Sequence, residues 1–453
     1  MKTAIDFSKG NIYKMILTLS YPSIIAMLVS SSNNIVNGMY LGNLIGGNAL
    51  AVTAVTLPIE MILVALGTMA TLGTAAMVSV KLGSKRYKAI DNIVWTGLIS
   101  ALILTTGIII IGTVFSDFII SLAGGKGVLF DDTKIYYFAI LIGWLFAPII
   151  FLANNLLRTI GEAKKASSIM LTSIITNVIF TPIFIVIFDM GIFGAGLANS
   201  FGQFLSFVLV LYYYKVKKLP TELNFKKVKF KWMYYKKMNL LGFSAFVRQS
   251  LNSVGAILLN NLFFIYGGVV ALNAIGIILK INTFLFLPIF GLLHGLQPML
   301  AYTYGMKDYK RVKEIVNKGM FIAFAMSFIA LIGVIILNDQ IINLFTNDDS
   351  FVDMAKYGMI FVMGGMPLVG IQLVGSSAYQ SFDKPFMAIL LATLRQLFLM
   401  IPFLLIFSFY FGLQGIWFSF PAADILTGII SYIVIMVGLK RIKKRWEKKV
   451  VKS

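Results

Sequence analysis

The chain has 453 residues, 58% of them hydrophobic and 13% charged, with a formal net charge of +21. Soluble domains average about 25% charged residues, and a soluble fold of this length cannot hide so much apolar surface, so the composition excludes one and calls for a polytopic membrane protein. Cysteine is absent and histidine occurs once, as His294, which excludes a disulfide framework, thiol chemistry and a multi-histidine metal site.

In chain order, the N-terminal run MKTAIDFSKGNIYKM lacks the apolar core and small-residue cleavage site of a signal peptide. Hydropathy then predicts an all-α membrane fold of twelve spanning helices, each near the roughly 20 residues a crossing needs. The first six are expected at 15–41, 49–80, 92–115, 134–157, 166–188 and 193–214. The second six follow at 238–265, 269–303, 317–337, 356–380, 386–408 and 415–438. Prolines mark expected bends at Pro22, Pro58, Pro148, Pro182, Pro288 and Pro402, because each releases a backbone carbonyl.

Between the two sets lies the basic stretch 215–237, with nine lysines and one acid, Glu222. The predicted organisation is therefore an N-terminal lobe over 1–214, a basic linker over 215–237 and a C-terminal lobe with a basic tail over 238–453. Of the 39 lysines and arginines, Lys126, Lys134 and Lys356 fall in the loops of one side, and Arg248, Lys280 and Arg395 fall inside spans. All the others fall on the linker's side. Positive-inside asymmetry then places both termini and the linker in the cytoplasm. Basic residues set between apolar segments suit anionic lipid headgroups, not nucleic acid.

The halves repeat. Gly73, Met77, Gly83, Lys85, Tyr87, Lys88, Ile93 and Val94 recur about 222 residues later as Gly295, Met299, Gly305, Lys307, Tyr309, Lys310, Ile315 and Val316. Gly191 and Gly194 recur as Gly412 and Gly415. Six helices per unit return the chain to the same side, so the repeats run parallel about an axis along the membrane normal, with substrate expected between them.

Six ionisable groups stand inside spans: Glu60, Arg248, Lys280, His294, Arg395 and Asp424. At 1.5 Å per residue, Glu60, Lys280 and Asp424 lie about 14–18 Å from the outer ends of their helices, and Arg248 and Arg395 about 14–15 Å from the inner ends. These five occupy one layer of a core about 30 Å thick. A charge there needs a partner or a wet cavity. One reading is a proton or cation site on Glu60 or Asp424 with Lys280 as counter-ion; the other is a structural Lys280–Asp424 pair within the second half. Glu60 has no charged partner in its own half. Arg248 and Arg395 read as structural or cavity-lining, and His294 as a packing residue with some capacity to titrate.

Helix 1 carries SSSNNIVNGMYLG, in which Asn34 and Asn37 share a face, and helix 5 carries Asn177 and Thr181 before Pro182. Met61, Met69, Met77, Phe286, Phe290, Met299, Met363 and Met366 offer soft side chains suited to an apolar, permissive pocket or to plain core packing.

These residues resemble the multidrug and toxic compound extrusion (MATE) family, in its MepA-like bacterial branch. The similarity rests on Pro22 and NIVNGMYLG, GTAAMVSVKLGSKRYKAI, NNLLRTIGEAKKASSIM, NVIFTPIFIVIFDMGIFGAGLA, LHGLQPMLAYTYGMKDYKRVKEIV and FGLQGIWFSFPAAD, in order along nearly the whole chain. The resemblance implies two six-helix lobes in a V and export of cationic amphiphiles in exchange for inward H⁺ or Na⁺. It also implies a first-lobe cation site with acids that this chain replaces. Asn37 stands where many members have Asp, Thr181 fills the Asp position of N-x-x-x-D-P, and Asn154 stands for an acid before the L-L-R run. Ion coupling is accordingly expected at Glu60, Asn37, Asn177, Thr181, Asp424 and Lys280, and substrate contact at Asn34, Met61, Met69, Phe286, Met299, Arg248 and Arg395.

A second function class, flipping of a lipid-linked saccharide, draws on Arg248, Lys280 and Arg395 as holders of a pyrophosphate. A membrane enzyme is disfavoured, since no phosphate-binding loop, paired metal ligands or Ser–His or Cys–His arrangement is legible. No cofactor and no metal are expected, and the transport unit is expected to be a monomer in the plasma membrane.

Overall fold

The computed structural model describes residues 7, 10–45, 47–123, 127, 129–216, 229–343 and 349–450, and among these there is no β-strand. Most of the basic linker, 217–228, lies outside the described residues, as do the side chains of Asn34 and Pro58. Among the described residues, twelve helices follow one another when broken helices are joined and the two kinked runs are divided at their glycines. Helix 1 is Ile12–Leu44, helix 2 Gly47–Gly83 and helix 3 Ile90–Val114. Helix 4 is Leu129–Trp144 continued by Ala147–Thr159, bent by 47° at the break. Pro148 stands in the first turn of its second piece, where a missing N–H costs nothing.

Helix 5 is Ala163–Pro182 continued by a π-helical turn, Ile183–Ile187, and helix 6 is Gly191–Lys215. Helices 7 and 8 share the run Trp232–Met306 and part at Gly268. Helix 9 is Tyr309–Ile336, and helix 10 is Asp349–Gly364 continued by Met366–Ser381. Helix 11 is Pro385–Thr393 followed by the π segment Leu394–Met400; with helix 12 it shares the run Ile401–Val450, parted at Gly412. Gly268 and Gly412 have φ of 64° and 58°, a left-handed backbone that glycine adopts without a Cβ clash. Both π segments adjoin a proline, Pro182 or Pro402. A residue that cannot donate its N–H displaces the ladder, and a wider turn absorbs the mismatch.

Two compact units divide these helices. One is built from Tyr21–Phe246, the other from Phe7–Ser20 together with Val247–Ser453. Each unit is closed by a helix end from elsewhere in the chain. In the first, a Cβ on Gly73 would fall 1.9 Å from the Met238 carbonyl oxygen, and one on Gly242 1.7 Å from that of Met69. Helix 2 and the start of helix 7 therefore cross backbone to backbone, as small residues allow in membrane proteins. In the second, a Cβ on Gly295 would meet Ser20 Oγ at 2.3 Å, and Ser20 donates to the Leu292 carbonyl at 3.3 Å. Gly73 and Gly295, a repeat pair in the sequence, thus serve equivalent crossings.

Other contacts repeat at the same shift. Asn154 Nδ2 donates to the Ala166 carbonyl at 2.7 Å, and Ser376 Oγ to the Ala388 carbonyl at 3.1 Å. Lys134 pairs with Asp117 at 2.7 Å and Lys356 with Asp339 at 2.9 Å, which ties the short helices Ser116–Leu122 and Asn338–Asn343 to helices 4 and 10. Two of the three lysines on the sparse side are thereby accounted for.

Candidate ion and substrate sites

In the first unit, helices 1 and 5 bring together three of the expected residues. Asn37 Nδ2 donates to Asn177 Oδ1 at 2.5 Å, and Thr181 Oγ donates to the Asn177 carbonyl at 2.7 Å. Asn177 and Thr181 are buried. The Oδ1 atoms of Asn37 and Asn33 are buried and accept no hydrogen bond. An orphaned buried carbonyl forfeits hydration without return, so two such oxygens one turn apart on helix 1 form an acceptor-rich spot. Asn33 lies four residues before Asn37 and on the same face; the side chain of Asn34, expected to share that face, lies outside the described residues.

Glu60 is half-buried on helix 2, between buried Ile59 and exposed Met61. It lies within Coulombic reach of the buried Tyr136 ring on helix 4. No ion pair joins it to a described residue. Ile59, Leu63, Tyr136, Tyr137 and Trp144 form the apolar core beside it, so this carboxyl stands at the edge of a dry region.

The second unit is organised differently. Arg395 Nε donates to Asp424 Oδ1 at 2.6 Å, with the Asp424 side chain 1% exposed and that of Arg395 24%. Helix 10 presses against this pair: a Cβ on Gly365 would fall 2.2 Å from Asp424 Cβ. Arg395 lies in the π segment of helix 11. The expected Lys280–Asp424 pairing is therefore corrected. Asp424 is closed over by Arg395 on the neighbouring helix, and Lys280 is exposed on helix 8. Both partners were visible in the sequence, but their choice depended on the phase of helix 11, which the π segment shifts.

Among the substrate candidates, Met61 is exposed and Phe286 half-buried, its ring 6.5 Å from that of Phe290. Met69 is buried where helix 7 crosses helix 2, and Met77 is buried nearby. Met299, Met363 and Met366 are enclosed within the second unit, so in this state they pack the core and line no open surface. Arg248 is half-buried, and His294 is half-buried with a partner. Among the described residues, no cluster of three His, Cys, Asp or Glu side chains could hold a metal ion.

The model of the MatE family matches residues 22–183 and again 245–406. The chain belongs to the MatE family. One match falls on each set of helices, as a duplicated MatE chain requires. Multidrug export protein MepA of Staphylococcus aureus (strain bovine RF122 / ET3-1) is 26% identical over 429 residues, covering 95% of this chain and 94% of that protein. MepA of Staphylococcus saprophyticus is 26% identical over 430 residues, with the same coverage. The fold matches an outward-facing multidrug resistance MATE family transporter of the MOP superfamily, with a TM-score of 0.91 at 22% identity over 98% of this chain and 100% of that one. A MOP superfamily transporter from Pyrococcus furiosus matches with a TM-score of 0.89 at 22% identity, over 96% and 98%. The twelve-helix, two-lobe MatE fold is thus the fold of this chain.

Proposed function

We propose that this MatE protein is a secondary active exporter of cationic amphiphilic compounds, driven by inward H⁺ or Na⁺ through alternating access of its two lobes. The observation that carries this reading is the uneven distribution of charge at helix mid-depth. In the first unit the helix 1–helix 5 cluster offers only amide and hydroxyl oxygens, and among the described residues Glu60 is the one carboxyl away from the ends of its helices. Neutral oxygens compensate little of a cation's dehydration, so Glu60 is the group suited to take a proton, a cation or a cationic substrate. Competition for one carboxyl couples two ligands, since each changes the apparent affinity of the other. The likeness to multidrug export proteins named MepA supports the substrate class.

Both termini and the basic linker are assigned to the cytoplasm, the duplicated halves to residues 1–214 and 238–453, and the working unit to a monomer. The test is transport of ethidium by purified protein in liposomes under an H⁺ gradient, a Na⁺ gradient or neither. Gradient-driven transport should be lost in Glu60→Gln, with unfolding unchanged. Unaltered transport by that variant would remove Glu60 from coupling.

A second reading, flipping of a lipid-linked saccharide, draws on Lys280 and Arg248, which no carboxylate among the described residues offsets by a salt bridge. Arg395 is withdrawn from that reading by Asp424. Translocation of a labelled lipid-linked oligosaccharide, without ethidium transport, would favour it.

A further inference from the structure

The corner between helices 10 and 11 differs in charge from its counterpart in the other half. At the counterpart, Glu162 precedes helix 5 and is neutralised by Lys165 at 2.6 Å. At the shift of the repeat, Lys384 stands in its place, at the N-cap of helix 11. Arg441 and Arg445, four residues apart on one face of helix 12, act on Lys384. Burial first, and these two guanidinium groups next, hold the Lys384 ammonium below the ordinary lysine range. Asp383 and Arg445 both act on Tyr304 here, so among the described residues Asp383 is the acid set among Lys384, Arg441 and Arg445. Lys443, on the adjoining face, is taken up by Glu447 at 3.6 Å.

Aromatic rings brace the corner. Lys384 Nζ lies 5.9 Å from the centre of the Tyr379 ring, and Tyr304 stacks on Phe382 and adjoins Trp446. Tyrosine and tryptophan favour the headgroup level of a bilayer. An exposed apolar track leads away from the cations on both helices. On helix 11 it is Phe386, 74% exposed, then Leu390; on helix 12 it is Val437 and Ile433, which continue the Arg441 and Arg445 face. Free phosphate would use the cations and leave this track unused. A lipid uses both, with acyl chains along the track and the headgroup against the cations.

We propose that Lys384, Arg441 and Arg445 form a binding site for the phosphodiester headgroup of an anionic lipid, whose chains lie along Phe386, Leu390, Val437 and Ile433. The site is independent of the export reading and belongs to the second unit alone. Clustered like charges favour a ligand that brings negative charge between them, and the helix 11 N-terminus adds the same sign of field. At the equivalent position of the first unit, Glu162, paired with Lys165, puts an acid where the second unit has Lys384.

The test uses the purified full-length protein in neutral detergent, with bound lipid counted by native mass spectrometry. Dioleoylphosphatidylglycerol, dioleoylphosphatidylcholine and inorganic phosphate are the three probes. Phosphatidylglycerol should bind in preference to phosphatidylcholine. Arg441→Gln with Arg445→Gln should weaken it by about thirtyfold, taking about fivefold for each charge lost. Both arginines are exposed, so the variant folds. Lys164→Gln, at the counterpart corner, should leave binding unchanged, and Phe386→Ser should weaken lipid binding in the wild-type charge background. Equal binding of the two lipids, or unchanged phosphatidylglycerol binding by the double arginine variant, would overturn the site. Displacement of phosphatidylglycerol by equimolar inorganic phosphate would overturn the lipid as its occupant.

Discussion

The two units solve the same problem, polar chemistry at helix mid-depth, in opposite ways. The first keeps neutral oxygens, Asn37, Asn177 and Thr181, with two orphaned acceptors and a carboxyl, Glu60, outside any described ion pair. The second closes its acid into a pair, Arg395 with Asp424, and presses Gly365 against it. A paired acid has most of its binding capacity spent on structure, whereas an unpaired one is free to respond to ligands. The comparison supports the proposal that coupling, if it rests on a titrating or cation-binding carboxyl, belongs to the first unit, whereas the second unit's acid is held in its fold.

The largest expected effect comes from breaking the pair. Arg395→Met should leave Asp424 as an uncompensated buried charge and destabilise by about 3–5 kcal/mol, while Arg395→Met with Asp424→Leu should recover most of that loss. Thermal unfolding in detergent reads both. If the double variant is no better than the single one, the pair is not the unit at work. Gly365→Ala comes next, at about 1–3 kcal/mol, because its Cβ has no room beside Asp424 Cβ and a packed helix must shift.

Smaller still is Asn177→Ala, which removes the acceptor for Asn37 Nδ2 and should cost about 1–2 kcal/mol. Asn177→Asp sharpens the comparison from the other side. A carboxylate placed there should make stability depend on Na⁺, with an unfolding midpoint that rises as Na⁺ is titrated in; no Na⁺ dependence would show that the oxygens around it do not converge on a cation.

The smallest effect is expected at the mirrored ion pairs. The Lys134 hydrogen bond holds the Asp117 carboxyl below its ordinary value. A depressed carboxyl contributes stability above its unfolded pKa and loses it as pH falls through the folded one. Asp117 is exposed and solvent screens the pair, so Asp117→Asn should leave the unfolding midpoint at pH 7 within replicate scatter and change only its acid limb.

Much of the architecture was legible in the sequence. Hydrophobic length gave twelve helices, and the repeat pairs Gly73 with Gly295 and Gly191 with Gly412 marked positions that turned out to be close crossings or left-handed turns. Asn37, Asn177 and Thr181 were identified as one site by resemblance, and helices 1 and 5 do bring them together. The partner of Asp424 was not legible, because composition places Lys280 and Arg395 in the same layer and only the π segment of helix 11 decides which one turns toward helix 12. Asn33 carried no signal of its own, because in NNIVN two adjacent asparagines stand near one face, one residue or about 100° of helix rotation apart. Met69 and Met299 read as pocket residues because soft apolar side chains look alike whether they face a ligand or a neighbouring helix.

The borrowed helix ends have a consequence for synthesis. The first unit needs Met238 and Gly242 against helix 2, so that corner stays open until the ribosome has passed the linker. The second needs Phe7, whose carbonyl accepts from Arg311 at 2.6 Å and whose ring meets Tyr302. Phe7, made early, must therefore wait for helix 9 before it reaches its place. A chain stopped at the linker carries six helices but cannot complete either unit, whereas the two half-chains made together contain every piece of both.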